Sequence, residues 1–302
     1  MSKRRKKTAS WQLPGVVACI SLLIGFPGHS QEFDADLLNR ARTALTMVPG
    51  SSPLEVRFQE FIEMSAPLSV YVADAGDELV PMVIGVFQIR FPDGWIMVDA
   101  GADREVLYEE FSHENYAIIG EALADANMTV LTHAHDDHAG SLVRGPLAET
   151  ASKRALLTVE QLDYLVAGSN NPMVQVSREH ADQFRAVSYD EVLPIAPGVV
   201  LIKAPGHTPG SQIVFVELES GEEILLAGDI VWHKTGLDRG AQKGTGSANL
   251  GEDREALIPQ LRWLKEVRDS GVHVVISHDQ RALAAQIEDG VLKQGLYLGE
   301  SD

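Results

Sequence analysis

The sequence predicts a layered α/β architecture, and three observations carry that expectation. Short apolar runs rich in β-branched residues recur in two sets, from 80 to 132 and from 199 to 226, with a last one at 272–276. Amphipathic helical patterns lie between and after them, most clearly at 255–268. Histidines and aspartates stand directly after several apolar runs, where a rigid sheet presents functional loops. At 302 residues and 45% hydrophobic content the chain can fill a substantial core between such layers, so one large domain is the default.

Taken in order, residues 1–30 stand apart. Lys3, Arg4, Arg5, Lys6 and Lys7 precede a mostly apolar run from Leu13 to Phe26 and small residues up to Ser30, the layout of a secretory signal peptide. Interrupted by Pro14 and Gly15, that run falls short of the roughly 20 apolar residues that span a bilayer. Too little apolar sequence precedes Cys19 for a lipoprotein signal, and the residues after Arg4-Arg5 match a twin-arginine signal poorly. Export with cleavage near Ser30 is therefore expected, to the periplasm or beyond, leaving residues 31–302 as the mature domain. The loss removes five basic groups and no acidic one, taking the formal charge from −18 to −23. A surface of that sign repels phosphate backbones and anionic headgroups, so a small-molecule substrate is expected, with neither nucleic acid nor stable membrane insertion. Cys19, the single cysteine, would leave with the signal, so mature stability must rest on packing and metal. Oligomeric state is not legible.

Leu37, Leu38, Ala41, Leu45 and Val48 recur at helical intervals and end at Pro49-Gly50, which predicts an N-terminal helix. Val80–Ile89 and Trp95–Val98 flank Phe91-Pro92-Asp93-Gly94 and predict a hairpin that stops at Asp99. Met128–Thr132 is a short strand leading into a histidine-rich loop. Thr158 with Gln161 forms a capping box for a helix through Val166, which Gly168 to Pro172 ends. Val199–Lys203, Gln212–Leu218 and Glu223–Leu226 are strands, Glu255–Arg268 is an amphipathic helix, and Val272–Ile276 is a buried strand running into His278.

The chemistry lies in the loops. His133, His135, Asp137 and His138 fall within six positions, and His207, Asp229 and His278 each follow a strand. Seven imidazoles and carboxylates are what two divalent ions about 3.5 Å apart require. In an extended loop, residues two apart point the same way, so His133 and His135 suit one ion while Asp137 and His138 turn to a second. His207 completes three nitrogens at the first, Asp229 offers an oxygen to each, and His278 completes the second. Nitrogen and oxygen donors prefer zinc, with iron or manganese as substitutes.

These segments, with Ala204 to Gly210 around His207, Ala227-Gly228-Asp229, and Ser277-His278, resemble the metallo-β-lactamase superfamily from about Val80 onward. The resemblance implies a four-layer αββα sandwich with two zinc ions at one edge. It implies His133, His135 and His207 at one ion, Asp137, His138 and His278 at the other, Asp229 bridging, and Asp99 holding the ligand loop by hydrogen bonds. It also implies hydrolysis by a metal-bridging hydroxide, with Asp137 passing a proton to the leaving group. Flavodiiron members carry glutamate where His135 stands, and one β-lactamase class carries cysteine where Asp229 stands, so the lactonase and glyoxalase II-like hydrolases are the nearest branch. The expected reaction is opening of a small carbonyl ester, a lactone first. A β-lactam hydrolase, a mononuclear iron dioxygenase and a non-catalytic zinc-binding protein are the alternatives. Trp232 stands where acyl-homoserine lactonases place a tyrosine that meets the substrate, and its indole donates one bond only. Trp232, His233 and Tyr164 are the candidate pocket residues, Met173 and Phe184 candidate apolar wall, and 233–251 a candidate flap.

Overall fold

The computed structural model describes residues 33–103, 111–144, 148–244 and 251–299, so the expected export segment lies outside the described residues. Twelve strands among these form two sheets. The first holds β1 (Glu55–Pro67), β2 (Leu79–Phe91), β3 (Gly94–Val98), β4 (Met128–Val130), β5 (Ala155–Thr158), β6 (Arg185–Val187) and β12 (Leu292–Gln294), in the order β12-β1-β2-β3-β4-β5-β6. The second holds β7 (Val192–Ala196), β8 (Val199–Lys203), β9 (Gln212–Glu217), β10 (Glu223–Leu226) and β11 (His273–Val275), in the order β11-β10-β9-β8-β7.

Alternation along the strands explains why the sheets stack and why both outer faces are covered. In β8, Val199 and Leu201 enter the core between the sheets, whereas Val200 and Ile202 face outward onto the helices Leu37–Leu45 and Arg254–Asp269. In β3, Ile96 and Val98 meet the other sheet, while Trp95 and Met97 pack on Ile119, Leu123, Leu162 and Leu165 of the helices outside. Strands apolar on both faces must be covered on both. The result is helix, sheet, sheet, helix, the four-layer sandwich the sequence resemblance implies.

Most expected elements form close to the stated bounds. The hairpin pairs Phe91 with Gly94, and Thr158 and Gln161 make the full capping box of the helix Val159–Ala167. β1 has no counterpart in the sequence reading. It pairs with β2 along nearly its whole length, but a register shift between Glu60 and Ile62 breaks its alternation, sending Val56 and Phe58 to the inter-sheet core and Phe61 and Ile62 to the outer one. The expected flap also differs. Lys234–Arg239 is helical, capped by Gly240 at φ +62°, and 245–250 lie outside the described residues. His135 is the N-cap of a helix Asp136–Val143, so Asp137 and His138 sit in a first helical turn rather than an extended loop.

Candidate metal centre

All seven side chains come from chain segments just past the carboxyl ends of strands. His133 to His138 follow β4, His207 lies between β8 and β9, Asp229 follows β10 and His278 follows β11. The two sheets are tied together at this edge. Gln161 Nε2 and Gln212 Nε2 both donate to the Leu131 carbonyl, at 3.0 and 2.7 Å, and the Gln212 amide donates to Thr132 O at 2.8 Å. The ligand loop also packs against 100–103. The Ala100 amide donates to His138 O at 2.7 Å, and a Cβ at Gly140 would lie 2.9 Å from the Ala102 carbonyl carbon.

The structure brings the seven residues together as three overlapping groups that could each hold an ion: His133, His135 and His207; His133, Asp137 and His138; and His138, Asp229 and His278. Within each group the donor atoms lie within 4.8 Å of one another. Asp229 stands in the middle. Its Oδ2 is 3.4 Å from His207 Nε2 and 3.8 Å from His133 Nε2, and its Oδ1 is 3.1 Å from His278 Nε2 and 3.5 Å from His138 Nε2. Asp137 Oδ2 is 3.5 Å from His138 Nε2 and 3.9 Å from His278 Nε2, and at 17% its side chain is far more open than the others.

Partners on the far ring nitrogens decide what the near ones present. His278 Nδ1 donates to the Val83 carbonyl at 2.9 Å, which can only accept. His138 Nδ1 meets Asp99 Oδ2 at 2.8 Å, His207 Nδ1 meets Glu252 Oε1 at 2.5 Å, and His133 Nδ1 meets the Thr132 hydroxyl at 3.0 Å, which itself donates to Asp99. Each acceptor places the hydrogen on Nδ1 and leaves a lone pair on Nε2. The Nε2 atoms of His133, His135, His138 and His207 are buried with no hydrogen-bond partner, as is Asp229 Oδ1. Acceptors that converge on acceptors are stable only with positive charge between them, which metal ions or protons can supply.

Without metal, protons take that place selectively. Burial and the neighbouring imidazoles push His133 well below its ordinary value, and burial brings His135 down to about 2. Desolvation also disfavours a charged His138, but Asp137, Asp99 and Asp229 outweigh it and raise it to about 10. His278 rises in the same way beside Asp229. Burial raises Asp137, whereas Asp229 falls well below the usual carboxylate range because the surrounding histidines outweigh its desolvation.

The remaining candidates have different surroundings. Asp99 lies behind the ligands, taking the Thr132 amide at 2.7 Å and the Thr132 hydroxyl at 2.9 Å. Trp232 does not present a free donor, because its Nε1–H is bound to Asp229 Oδ2 at 2.7 Å. His233 caps the helix Lys234–Arg239 by accepting from the Thr235 amide and joins none of the three groups. The half-buried Tyr164 ring stands 6.1 Å from His135, whereas Phe184 is buried in the helix-side core. The side chain of Met173 lies outside the described residues. Sequence reasoning missed Glu252 and Lys243, buried behind His207 and Asp229, because an isolated acid and an isolated base in a polar stretch carry no spacing signal.

Residues 86–278 match the profile of the metallo-beta-lactamase superfamily. The chain belongs to this superfamily. Among curated members, an N-acyl homoserine lactonase of a Bacillus species is 22% identical over 210 residues, 63% of this chain and 78% of that one. RNase aCSPSF2 of Saccharolobus solfataricus is 30% identical over 168 residues, 52% of this chain and 33% of its own. Transcription termination factor FttA of Pyrococcus abyssi is 28% identical over 171 residues, 49% of this chain and 26% of its own. The chain thus spans about a quarter to a third of the archaeal members' length. In three dimensions a quorum-quenching N-acyl homoserine lactone lactonase matches 77% of this chain and 95% of its own, with a TM-score of 0.62 at 18% identity. A dizinc quorum-quenching lactonase, AidC, reaches 0.54 at 16% identity over 78% of this chain and 91% of its own. Such structural likenesses speak to the shared fold.

Proposed function

We propose that this superfamily member is an exported hydrolase that holds two divalent ions, zinc by preference, and opens a small carbonyl ester, a lactone first. The observation that carries the reading is the convergence of the buried, unpartnered Nε2 lone pairs of His133, His138 and His207 on the two oxygens of Asp229. His133, His135 and His207 would hold one ion and Asp137, His138 and His278 the other, with Asp229 shared. Ions bound there acidify water and polarise a substrate carbonyl.

The chain's own residues supply the rest. Asp229, kept ionised by the histidines around it, fixes both halves in register. Asp137 is the more open of the two ligand carboxylates, at 17% against 3% for Asp229, so it is placed to hand a proton to the departing alkoxide. Beside the centre, Trp232 packs on a small buried apolar cluster of Leu68, Tyr71, Val72 and Val80.

Similarity to the lactonases spans most of their length, which favours the lactone over other esters. A second reading, cleavage of an RNA phosphodiester, is favoured by the 30% identity to the archaeal RNase and opposed by the chain's formal charge of −18. Zinc-loaded protein assayed on lactones of graded acyl length, a chromogenic cephalosporin and single-stranded RNA tests both. Lactone opening that disappears in folded His133→Ala and Asp229→Ala variants is expected. Turnover surviving both changes, or RNA cleavage without lactone opening, would refute the first reading, and zinc uptake with no turnover of any substrate would leave a binding protein.

A further inference from the structure

The two halves of the centre rest on largely separate supports. Behind His138 and His278 stand Asp99 and the Val83 carbonyl, with the Thr132 hydroxyl serving Asp99 and His133. Behind His207 and the Oδ2 side of Asp229 stands a different set, Glu252, Lys243 and Trp232, from the segment after β10. We infer that these three form a positioning network that sets the metal affinity of the His133, His135 and His207 half separately from the other. The inference rests on the binuclear reading above.

Glu252 Oε1 lies 2.5 Å from His207 Nδ1 and is ion-paired with Lys243, so it stands there as a carboxylate. It can therefore only accept, which fixes the His207 hydrogen on Nδ1 and turns Nε2 toward the ion. Lys243 is 2% exposed, paired with Glu252, and donates to the Asp229 carbonyl. Its Nζ also lies 4.5 Å from the centre of the Trp232 ring. A cation over an indole face draws on its π electrons and makes the ring N–H a stronger donor. That N–H is the one bound to Asp229 Oδ2, the oxygen 3.4 Å from His207 Nε2 and 3.8 Å from His133 Nε2, and 3.3 Å from His278 Nε2, which lies nearer Oδ1 at 3.1 Å. Asp229 Oδ1, facing His138 and His278, receives no hydrogen bond.

Glu252 meets His207, and Lys243 meets His207 Nδ1 at 3.1 Å and the Asp229 backbone, so both charged members serve one half, while the Trp232 ring stands between His207 at 6.2 Å and His278 at 6.3 Å. A buried Lys–Glu pair is a costly way merely to fasten a loop, since apolar residues would hold it as well. The cost is intelligible if the charges act on His207 and, through Trp232, on Asp229.

Metal-stripped protein titrated with zinc against a chromogenic chelator, and with cobalt(II) by its visible absorption, tests this. Wild type is expected to bind two ions in two steps. His135→Ala and His278→Ala mark the steps, because each residue belongs to a single half. Glu252→Gln and Trp232→Phe are both expected to weaken the step that His135→Ala abolishes, by about 10–100-fold, and to leave the step that His278→Ala abolishes within about 3-fold. Trp232→Phe keeps an aromatic ring at a half-buried position and carries the test should Glu252→Gln not fold. Equal weakening of both steps, or of neither, in a wild type that binds two ions overturns the network alone. Fewer than two ions in wild type overturns the binuclear reading and the network with it.

Discussion

Asp99→Asn isolates the hydrogen bonds that orient one half of the centre. Asp99 is 1% exposed and sits at φ +67°, a conformation that asparagine adopts as readily as aspartate, so the change adds no backbone strain. Its Oδ1 takes the Thr132 amide at 2.7 Å, which can only donate, so the amide oxygen of the variant must remain there. The new NH₂ then replaces Oδ2, which takes the Thr132 hydroxyl at 2.9 Å and His138 Nδ1 at 2.8 Å. Donor faces donor unless His138 moves its hydrogen to Nε2, and that tautomer closes the nitrogen to an ion.

Losing a hydrogen bond to a charged group costs about 1.5–3 kcal/mol. In a protein of this size that is about 3–12 °C in the unfolding midpoint of the metal-free form. The half containing His138 should also bind zinc about 10–100-fold more weakly. Calorimetry on the metal-free proteins reads the first effect and chelator competition the second. A variant that unfolds within about 1 °C of wild type and takes up zinc in two undiminished steps would show that Asp99 does not orient His138.

Three further outcomes are expected. Gly140→Ala puts a Cβ against the Asp103 amide and 2.9 Å from the Ala102 carbonyl carbon, so thermal unfolding should show a loss of about 1–3 kcal/mol from backbone displacement, and the helix carrying Asp137 and His138 should bind zinc less well; unchanged stability would mean that 100–103 yields freely. Metal-free protein carries a proton on His138 at pH 7, because the pKa there is raised to about 10, and isothermal titration in buffers of different ionisation heat should show zinc uptake releasing at least one proton; a buffer-independent heat would contradict this. The same raised value gives the metal-free fold a stability increment that is full below the free-histidine value of 6.5 and lost as pH climbs through about 10, so its unfolding midpoint should fall over that range by more than that of the zinc-loaded form.

Much of the candidate site was readable because its parts are local or bounded by strong signals. Three histidines and an aspartate within six positions need no tertiary information to suggest metal, and His207, Asp229 and His278 each follow a short, β-branched apolar run that reads as a buried strand. The hairpin at 91–94 and the helix at Val159 announced themselves by a turn pair and a capping box, both short-range devices. β1 escaped because a bulge moves its apolar residues from one face to the other, and the bond from Trp232 to Asp229 was not legible because nothing in a linear chain shows which acceptor an indole will find.

Alone, the sequence determined the layered architecture and the seven candidate side chains, since periodicity and spacing are properties of short stretches and survive without a partner, and its motifs carried the resemblance to the family. Tertiary structure decided which nitrogen of each histidine is left open, which oxygen of Asp229 faces which group, and that Glu252 and Lys243 stand behind His207. Those outcomes depend on hydrogen-bond partners up to 195 residues away in the chain, which only the packing of two sheets brings within 3 Å.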